Sequence, residues 1–210
     1  MANILPQMPR KKRLLVFVNP YSGTKKGIKT WVQAREVLEK ANFEIEVIQT
    51  THQNHAREVV MDMSKVGCGS YDVIATVSGD GLPHEVVNGL MERPDSHEFF
   101  MSTALAIIPG GTSNGMHKNI VHFSGERYGV PAAAYLLCKA WTRNLDLIEI
   151  EGEFFQKKVY SLMMVAWGIV ADVDISSEVI RFMGNSRITI FSVLRIIQDP
   201  AYQCKLAFDG

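Results

Sequence analysis

One short loop, Ser78-Gly79-Asp80-Gly81, has the composition of a phosphate-binding turn and carries a single acidic residue. Its glycines allow close approach of the backbone, and the following helical pattern would direct backbone amides at an anion. A carboxylate repels such an anion unless it binds the accompanying metal or accepts a proton from an attacking hydroxyl. Asp80 is therefore the candidate catalytic residue. The alternative is a turn aspartate that accepts hydrogen bonds from its own loop amides.

Two further glycine-bearing loops have a similar composition. Residues 110–115 read Gly-Gly-Thr-Ser-Asn-Gly, and residues 19–27 add Lys25 and Lys26 to two glycines. A plain strand-to-helix turn is the alternative for residues 110–115. The spacing of a Walker A loop is absent, as are a dinucleotide G-x-G-x-x-G and a protein-kinase H-R-D.

The elements around these loops alternate between strands and helices. Apolar runs at residues 14–18, 73–77 and 104–108 predict buried strands, and alternation at Phe43, Ile45 and Val47 predicts an edge strand. Helices are predicted at 28–41, from an Asn54 cap to about 66, at 84–91 and at 130–141. The fold class is α/β, a parallel sheet with helices on both faces, so the loops should meet at the carboxyl edge of the sheet.

The pattern changes after residue 143. Residues 145–150 and 159–167 resemble antiparallel strands, followed by a polar and helical stretch and a last strand near residues 203–208. We therefore expect one domain at 14–143 and a second at 144–210. Two or three strands are few for a self-sufficient β domain.

Composition excludes several classes of protein. The 210 residues carry 22 Lys+Arg against 22 Asp+Glu, which argues against a general nucleic-acid binder. The three cysteines form no C-x-x-C pair, and the six histidines show no metal-ligand spacing. No apolar run approaches the 18 or more residues of a membrane span, so a cytosolic protein, or one peripheral to a membrane, is expected. The basic residues 10–13 could touch acidic lipid or could be solvated charges.

Together the loops resemble a known family. The pair Asn19-Pro20, the segment 78–82 running into His-Glu-Val-Val-Asn-Gly-Leu at 84–90, and Pro-Gly-Gly-Thr-Ser-Asn at 109–114 are similar to the diacylglycerol kinase catalytic fold. Serine before Gly79, the 84–90 segment and Ala-Trp-Gly-Ile-Val-Ala-Asp-Val-Asp at 166–174 point within that fold to the sphingosine kinases. The resemblance runs from about Leu14 to the end of the chain.

The resemblance implies an ATP- and Mg²⁺-dependent lipid kinase in which Asp80 deprotonates the primary hydroxyl of a sphingoid base. Ser78, Gly79 and Gly81 would lie beside the substrate, and Asp174 would receive its amine. The residues implied in nucleotide binding are Asn19, Pro20, Tyr21, Thr50, Thr51, His52, Gln53, Asn54, Glu85, Gly111, Thr112, Ser113, Arg181 and Arg187. Metal ligands and the oligomeric state are not indicated.

Some candidates have ordinary structural interpretations as well. Asp172 and Asp174 would share a face in extended chain, or Asp174 could cap the helix through Val179 and Ile180. Arg181 and Arg187 could be solvated helix charges. His55 and His117 are expected to be loop or capping residues rather than catalysts.

The chain also departs from the family pattern. Ser113 replaces a small glycine or alanine, Pro83 replaces a flexible apolar residue, and Tyr21 replaces a frequent basic residue. The family's second domain is a substantial β-sandwich, and this chain ends after its opening strands. The leading expectation is a C-terminally truncated sphingosine kinase. The alternatives are a non-catalytic isoform or fragment that binds nucleotide or a partner, and a diacylglycerol or ceramide kinase.

Overall fold

The computed structural model describes residues 11–23, 25–153, 156–184, 186–205 and 207, with residues 181 and 182 described by their backbone alone. The chain divides into two compact units, residues 1–162 and residues 163–210. The first unit contains the sheet and most of the candidate loops. The predicted division near Asn144 belongs to a two-domain interpretation and stays a prediction.

In the first unit the elements run β1 Lys12–Val18, α1 Gly27–Lys40, β2 Phe43–Gln49, α2 His55–Met61, β3 Val73–Ser78, α3 Gly81–Met91, α4 Ser96–Ser102, β4 Ala104–Pro109, α5 Gly115–Ser124, α6 Val130–Lys139, β5 Ile148–Ile150 and β6 Val159–Ser161. The second unit contains α7 Ile169–Ser177, a 3-10 helix Glu178–Met183, and α8 Ser186–Gln198.

Four parallel strands form the main sheet in the order β2-β1-β3-β4. The side chains of Leu14 to Val18 in β1 are fully buried, as expected for a strand covered on both faces. β2 lies at the edge, and its alternating exposure fits a half-buried strand. The predicted α/β class and the parallel sheet are confirmed.

The two faces of β1 build two separate hydrophobic clusters. Leu14, Val16 and Val18 pack with residues of α1 and α6 on one face. Leu15 and Phe17 pack with residues of α2, α3 and α4 on the other. This alternation follows from the two-residue period of a strand, and it confirms that helices cover both faces of the sheet.

The predicted helix from Asn54 to about residue 66 is shorter in the structure and is not capped as expected. Asn54 has φ of 66° and its side chain makes no cap hydrogen bond. Helix α2 ends at Met61, because Asp62 is extended and accepts hydrogen bonds from the backbone N–H and the hydroxyl of Ser64. The Asx turn that results replaces the last predicted turn of helix.

Helix α3 begins three residues earlier than predicted, at Gly81. Pro83 therefore lies in the first turn of the helix, where a backbone N–H has no intrahelical partner. Its departure from the family pattern is thus compatible with the helix. Helix α4, at seven residues, was not predicted from the sequence.

The predicted antiparallel strands at 145–150 and 159–167 are correct in direction but too long. β5 and β6 contain three residues each, with Ile148 opposite Ser161. After Ser161 the described chain is irregular until Ile169, and Met164, Val165 and Trp167 are exposed. A β-sandwich stays a prediction, and the expected last strand near residues 203–208 falls partly outside the described residues.

Arg93 ties together the helical layer that contains α2, α3 and α4. Its buried guanidinium donates to the carbonyl oxygens of Val60 at 2.8 Å and Val66 at 2.6 Å. It also pairs with both carboxylate oxygens of Asp95 and lies 4.7 Å from the centre of the Phe99 ring. The buried positive charge is therefore paired with the Asp95 carboxylate and hydrogen-bonded to two backbone carbonyls.

The Arg93→Met variant is expected to lower the free energy of unfolding by about 3 kcal/mol, since it leaves two buried carbonyl oxygens and a carboxylate without their hydrogen-bond donor. Urea denaturation would measure the loss. Arg35→Met is the control, because exposed Arg35 pairs with Glu39 one turn away and should contribute less than about 0.5 kcal/mol. Similar losses in both variants would contradict this account of Arg93.

Candidate functional site

The loops that follow β1, β3 and β4 meet at the carboxyl edge of the sheet. The backbone N–H of Asn19 donates to the carbonyl of Val77 at 3.1 Å, and that of Gly110 donates to Ser78 at 2.8 Å. The Ser22 hydroxyl accepts a hydrogen bond from Gly79 N–H at 3.0 Å. The structure thus brings together three of the segments selected from the sequence.

Glycine makes this convergence possible. A Cβ atom on Gly111 would lie 2.3 Å from the Cα of Gly79, and one on Gly23 would lie 2.9 Å from the carbonyl oxygen of Gly110. These distances are shorter than any side chain allows, so the loops are in backbone-to-backbone contact. Gly23 also has φ of 57°, which favours glycine.

Asp80 lies between the first turn of α3 and the start of α5. One carboxylate oxygen accepts a hydrogen bond from the N–H of Gly115 at 2.8 Å, and the other accepts from Met116 at 3.0 Å. Asp80 therefore caps α5 rather than its own loop, which corrects the turn alternative. A carboxylate has about four acceptor positions, so two remain for an incoming hydroxyl.

The residues beside Asp80 belong to the same junction. Ser78 is buried at the end of β3, and its hydroxyl donates to the carbonyl of Gly79 at 2.6 Å. Gly81 opens α3, and a Cβ built on it meets no heavy atom within 4 Å. The space beside Gly81 is consistent with a position next to a substrate.

Asn114 organises the loop after β4. It is 3% exposed, and its side-chain oxygen accepts the N–H of Gly111 at 2.8 Å while its amide nitrogen donates to the Gly111 carbonyl at 2.8 Å. The same nitrogen donates to the hydroxyl of Tyr128 at 2.8 Å. This ring of hydrogen bonds leaves Thr112 and Ser113 at the tip of the loop.

Residues 50–54 follow β2 and continue into α2. Thr50 is buried, and its N–H donates to the Val18 carbonyl at 2.9 Å, which ties this segment to the end of β1. His52 stacks on His55, with ring centres 4.8 Å apart, and lies 3.0 Å from a Glu58 oxygen. His55 accepts the N–H of Thr51 at 3.2 Å, a loop role of the kind expected for it.

A polar cavity of about 520 Å³ lies in the first unit, between α2, α3 and the segment before β6. It contains Asn54 and Glu85, two residues implied in nucleotide binding, and one oxygen of Glu85 is buried with no hydrogen-bond partner among the residues described. Burial lowers the pKa of His84 in the same wall, and the carboxylate of Glu85 partly opposes that effect. Residues 156–159 complete the lining; nothing in their sequence indicated a site.

Asn88 holds the β5–β6 pair against α3. Its amide nitrogen donates to the carbonyl of Tyr160 at 2.8 Å, and its oxygen accepts the Tyr160 N–H at 2.8 Å. The side chain thus reproduces the hydrogen-bond pattern of a neighbouring strand. This contact and the ion pair of Lys157 with Glu92, at 2.7 Å, hold the segment that contributes residues 156–159 to the cavity wall.

The Asn88→Ala variant is expected to release β6 from α3, with a loss of about 1–3 kcal/mol in unfolding free energy from the unpaired Tyr160 groups. Amide hydrogen exchange should show reduced protection at Tyr160. Asn144→Ala, at an exposed position, is the matched control. Full protection of the Tyr160 amide in Asn88→Ala would contradict the contact.

His117 is fully buried in α5, and among the described residues neither ring nitrogen finds a hydrogen-bond partner of normal geometry. Burial lowers the pKa of His117 from its ordinary 6.5, and the nearby carbonyls of Gly129 and Ile107 offset this only partly. The ring also lies edge-on to Tyr128, with centres 5.3 Å apart. His117 is therefore a buried helix residue that packs against Tyr128, and not the loop or capping residue that was expected.

Protonation of His117 is expected to lower the free energy of unfolding at acid pH. The unfolded chain takes up this proton near pH 6.5 and the folded protein only at lower pH, so the unfolded state binds more protons in between. The stabilising contribution is complete above about pH 6.5 and falls as pH drops toward the folded-state pKa. Urea titrations at several pH values would show a smaller acid loss in His117→Gln than in the wild type. His122→Gln, at an exposed position of the same helix, should keep the wild-type slope.

The second unit corrects the expectation for the two aspartates. Asp172 and Asp174 both lie inside α7, so they neither share a face of extended chain nor cap the following helix. Asp172 accepts hydrogen bonds from Tyr202 at 2.7 Å, Ser176 at 2.9 Å and Arg195 at 3.0 Å, and these partners lower the pKa of Asp172. The side chain of Asp174 is 73% exposed.

The arginines implied in phosphate binding are in the second unit as well. The buried guanidinium of Arg187 pairs with Glu178 and lies 3.8 Å from Asp174, so it is an ion-pair partner rather than a solvated charge. The side chain of Arg181 is outside the described part of the chain.

Within the described ranges there is no group of three or more His, Cys, Asp or Glu side chains able to hold a metal ion. None of the helices in the described part of the chain has both the length and the hydropathy needed to cross a bilayer.

The chain is similar to several known proteins. The family described as the diacylglycerol kinase catalytic domain matches residues 13–150. Sphingosine kinase 1 of Arabidopsis thaliana is 39% identical over 97% of this chain and 41% of its own length. Sphingosine kinase 1 of Rattus norvegicus is 35% identical over 96% of this chain and 53% of its own. The chain thus spans about half the length of these relatives.

The solved structures support the fold alone. A diacylglycerol kinase from Bacillus anthracis str. Sterne superposes with a TM-score of 0.53 at 24% identity. The match covers 67% of this chain and 44% of that one.

Proposed function

The chain belongs to the diacylglycerol kinase catalytic domain family, and from that premise we propose that it transfers the γ-phosphate of ATP to the primary hydroxyl of a sphingoid base. The relatives named sphingosine kinase suggest the substrate class. The observation that carries the proposal is the position of Asp80. Its carboxylate is fixed by α5 at the junction of three glycine-bearing loops.

In this mechanism Asp80 accepts the proton of the lipid hydroxyl as the hydroxyl oxygen attacks the γ-phosphorus. The bond from that phosphorus to the bridging oxygen breaks, and ADP leaves. The glycine-bearing loops contribute backbone amides that orient the phosphates, and the hydrogen bonds from Gly115 and Met116 keep the carboxylate in place. Residues 14–143 would form the nucleotide domain in this reading.

Magnesium fits as an ion carried by the nucleotide rather than as one held by a protein cage. Such ions are bound through one or two carboxylates together with phosphates and water, and the described residues offer no larger cluster. When bound it would neutralise phosphate charge. Asp80 is the carboxylate present at the loop junction.

Asp174 is the proposed partner of the substrate's amine. A sphingoid base carries an ammonium next to its reacting hydroxyl, whereas diacylglycerol and ceramide do not. The exposure of the Asp174 carboxylate leaves it available to a ligand. Residues 144–210 would form the first part of the lipid domain, and peripheral contact with membranes follows from a lipid substrate.

A second candidate function is nucleotide or partner binding without catalysis. It is favoured by the exposed apolar side chains of the second unit, which include Val179 at 83% and Ile197 at 75% exposure. Surfaces of this kind are normally covered by protein or lipid. A chain that lacks the cover would bind ATP without seating the lipid.

The deciding experiment follows labelled γ-phosphate from Mg-ATP to sphingosine, diacylglycerol and ceramide, using residues 1–210. Phosphorylation of sphingosine alone, with the preference reduced in Asp174→Asn, supports the sphingosine kinase. Equal use of diacylglycerol or ceramide rejects the role of Asp174. ATP binding with no lipid product would select the non-catalytic function.

A further inference from the structure

Tyr128, in the connection between α5 and α6, contacts the loop assigned to the ATP phosphates. Its hydroxyl accepts a hydrogen bond from the buried side-chain nitrogen of Asn114 at 2.8 Å. Residues 111–113 of that loop are 15–17 residues earlier in the chain, and Tyr128 belongs to none of the motifs that identify the family. Its connection to the nucleotide loop is visible only in three dimensions.

The hydrogen bonds around Asn114 explain why one hydroxyl can matter. The two protons of the Asn114 amide go to the Gly111 carbonyl and to Tyr128, while its oxygen accepts the Gly111 N–H. Without the tyrosine hydroxyl, one amide proton of Asn114 loses its hydrogen-bond partner, and Asn114 is only 3% exposed to solvent. An unpaired buried donor favours rotation of the amide, which would weaken its hold on Gly111.

The Tyr128 ring packs against one buried side chain. His117, which is fully buried, lies edge-on to it with ring centres 5.3 Å apart. The ring is otherwise about half exposed. The ring thus contacts a buried side chain while its hydroxyl reaches Asn114.

We propose that Tyr128 is a positioning residue that holds Gly111, Thr112 and Ser113 in the conformation that binds the ATP phosphates. The inference rests on the proposed function. It differs from the role of Asp80, because Tyr128 acts through Asn114 and on nucleotide binding rather than on the proton transfer.

The test compares Tyr128→Phe with the wild type by ATP titration and by steady-state kinetics. Removal of one hydrogen bond should raise the KM for ATP about three- to tenfold. The kcat should change by less than about twofold, because the chemical step does not use Tyr128. Protection of the Gly111 amide against hydrogen exchange should fall in the same variant. Tyr135→Phe is the matched control, since exposed Tyr135 contacts Lys139 in α6 and not the loop.

The outcomes separate the two proposals. Wild-type protein that fails to bind ATP would overturn the proposed function and this inference with it. Wild-type protein that binds ATP normally, while Tyr128→Phe keeps both its KM and its Gly111 protection, would overturn the inference alone. A fall in kcat or melting temperature without a change in KM would also reject it, because that pattern marks a merely structural tyrosine.

Discussion

Asp80→Asn should lower phosphate transfer by about 10²–10⁴-fold while leaving a folded protein that is less stable than the wild type. An amide cannot take the proton of the lipid hydroxyl. Its oxygen can accept only one of the N–H groups of Gly115 and Met116 in the present geometry, and its NH₂ group would face the other. The lost cap charge and the donor-to-donor contact should cost about 1–3 kcal/mol of unfolding free energy.

Kinetics and urea denaturation of the same protein preparation would separate these two effects. Asp146→Asn is the control, because Asp146 is exposed and should lose neither activity nor stability. The Asp80→Asn variant will therefore report on more than the base: part of its defect comes from a loosened α5 and nucleotide loop. Transfer within a few-fold of wild type from a folded Asp80→Asn protein would show that this carboxylate is not the base.

The sheet could be predicted from the sequence because each of its strands is locally marked. The continuous apolar run at β1 requires burial on both faces, and the alternation at β2 requires an edge. Once the strands are parallel, their following loops must lie at one edge. The meeting of Gly23, Gly79 and Gly111 thus follows from local patterns and general topology.

Contacts between distant parts of the chain could not be predicted from the sequence. Asp80 was recognised as the candidate base, yet its hydrogen-bond partners are 35 and 36 residues away. Asn88 and Tyr160 are separated by 72 residues, and no sequence pattern in either segment indicates that they form hydrogen bonds with each other. Such side-chain contacts depend on how helices dock, which a single sequence does not encode in its periodicity.

The contacts of Asp172 show what the spacing of two aspartates does not predict. A spacing of two residues puts Asp172 and Asp174 on one face only in extended chain, and both lie in α7, within the stretch expected to be polar and helical. In the structure Asp172 instead accepts a hydrogen bond from Ser176 one turn later and receives Arg195 and Tyr202 from beyond the helix. Arg195 and Tyr202 are 23 and 30 residues further along the chain, so the local spacing does not predict these contacts.

Gly111→Ala should weaken ATP binding by about a hundredfold, although alanine is compatible with the backbone at this position. Its φ is not in the left-handed region, so the defect is steric: the new methyl group would lie 2.3 Å from the Cα and 2.6 Å from the nitrogen of Gly79. The loops after β3 and β4 would have to separate by about 1 Å to restore ordinary contact distances, which costs about 1–3 kcal/mol of stability. The same shift would move Asn114, whose oxygen would be 3.1 Å from the methyl group, and with it the proposed phosphate contacts.

ATP titration and thermal unfolding of Gly111→Ala would measure the losses of affinity and of stability. Gly69→Asn is the control, because Gly69 faces open space and asparagine tolerates its φ of 72°. Unchanged ATP affinity in Gly111→Ala would mean that the nucleotide phosphates do not depend on the close contact of these two loops.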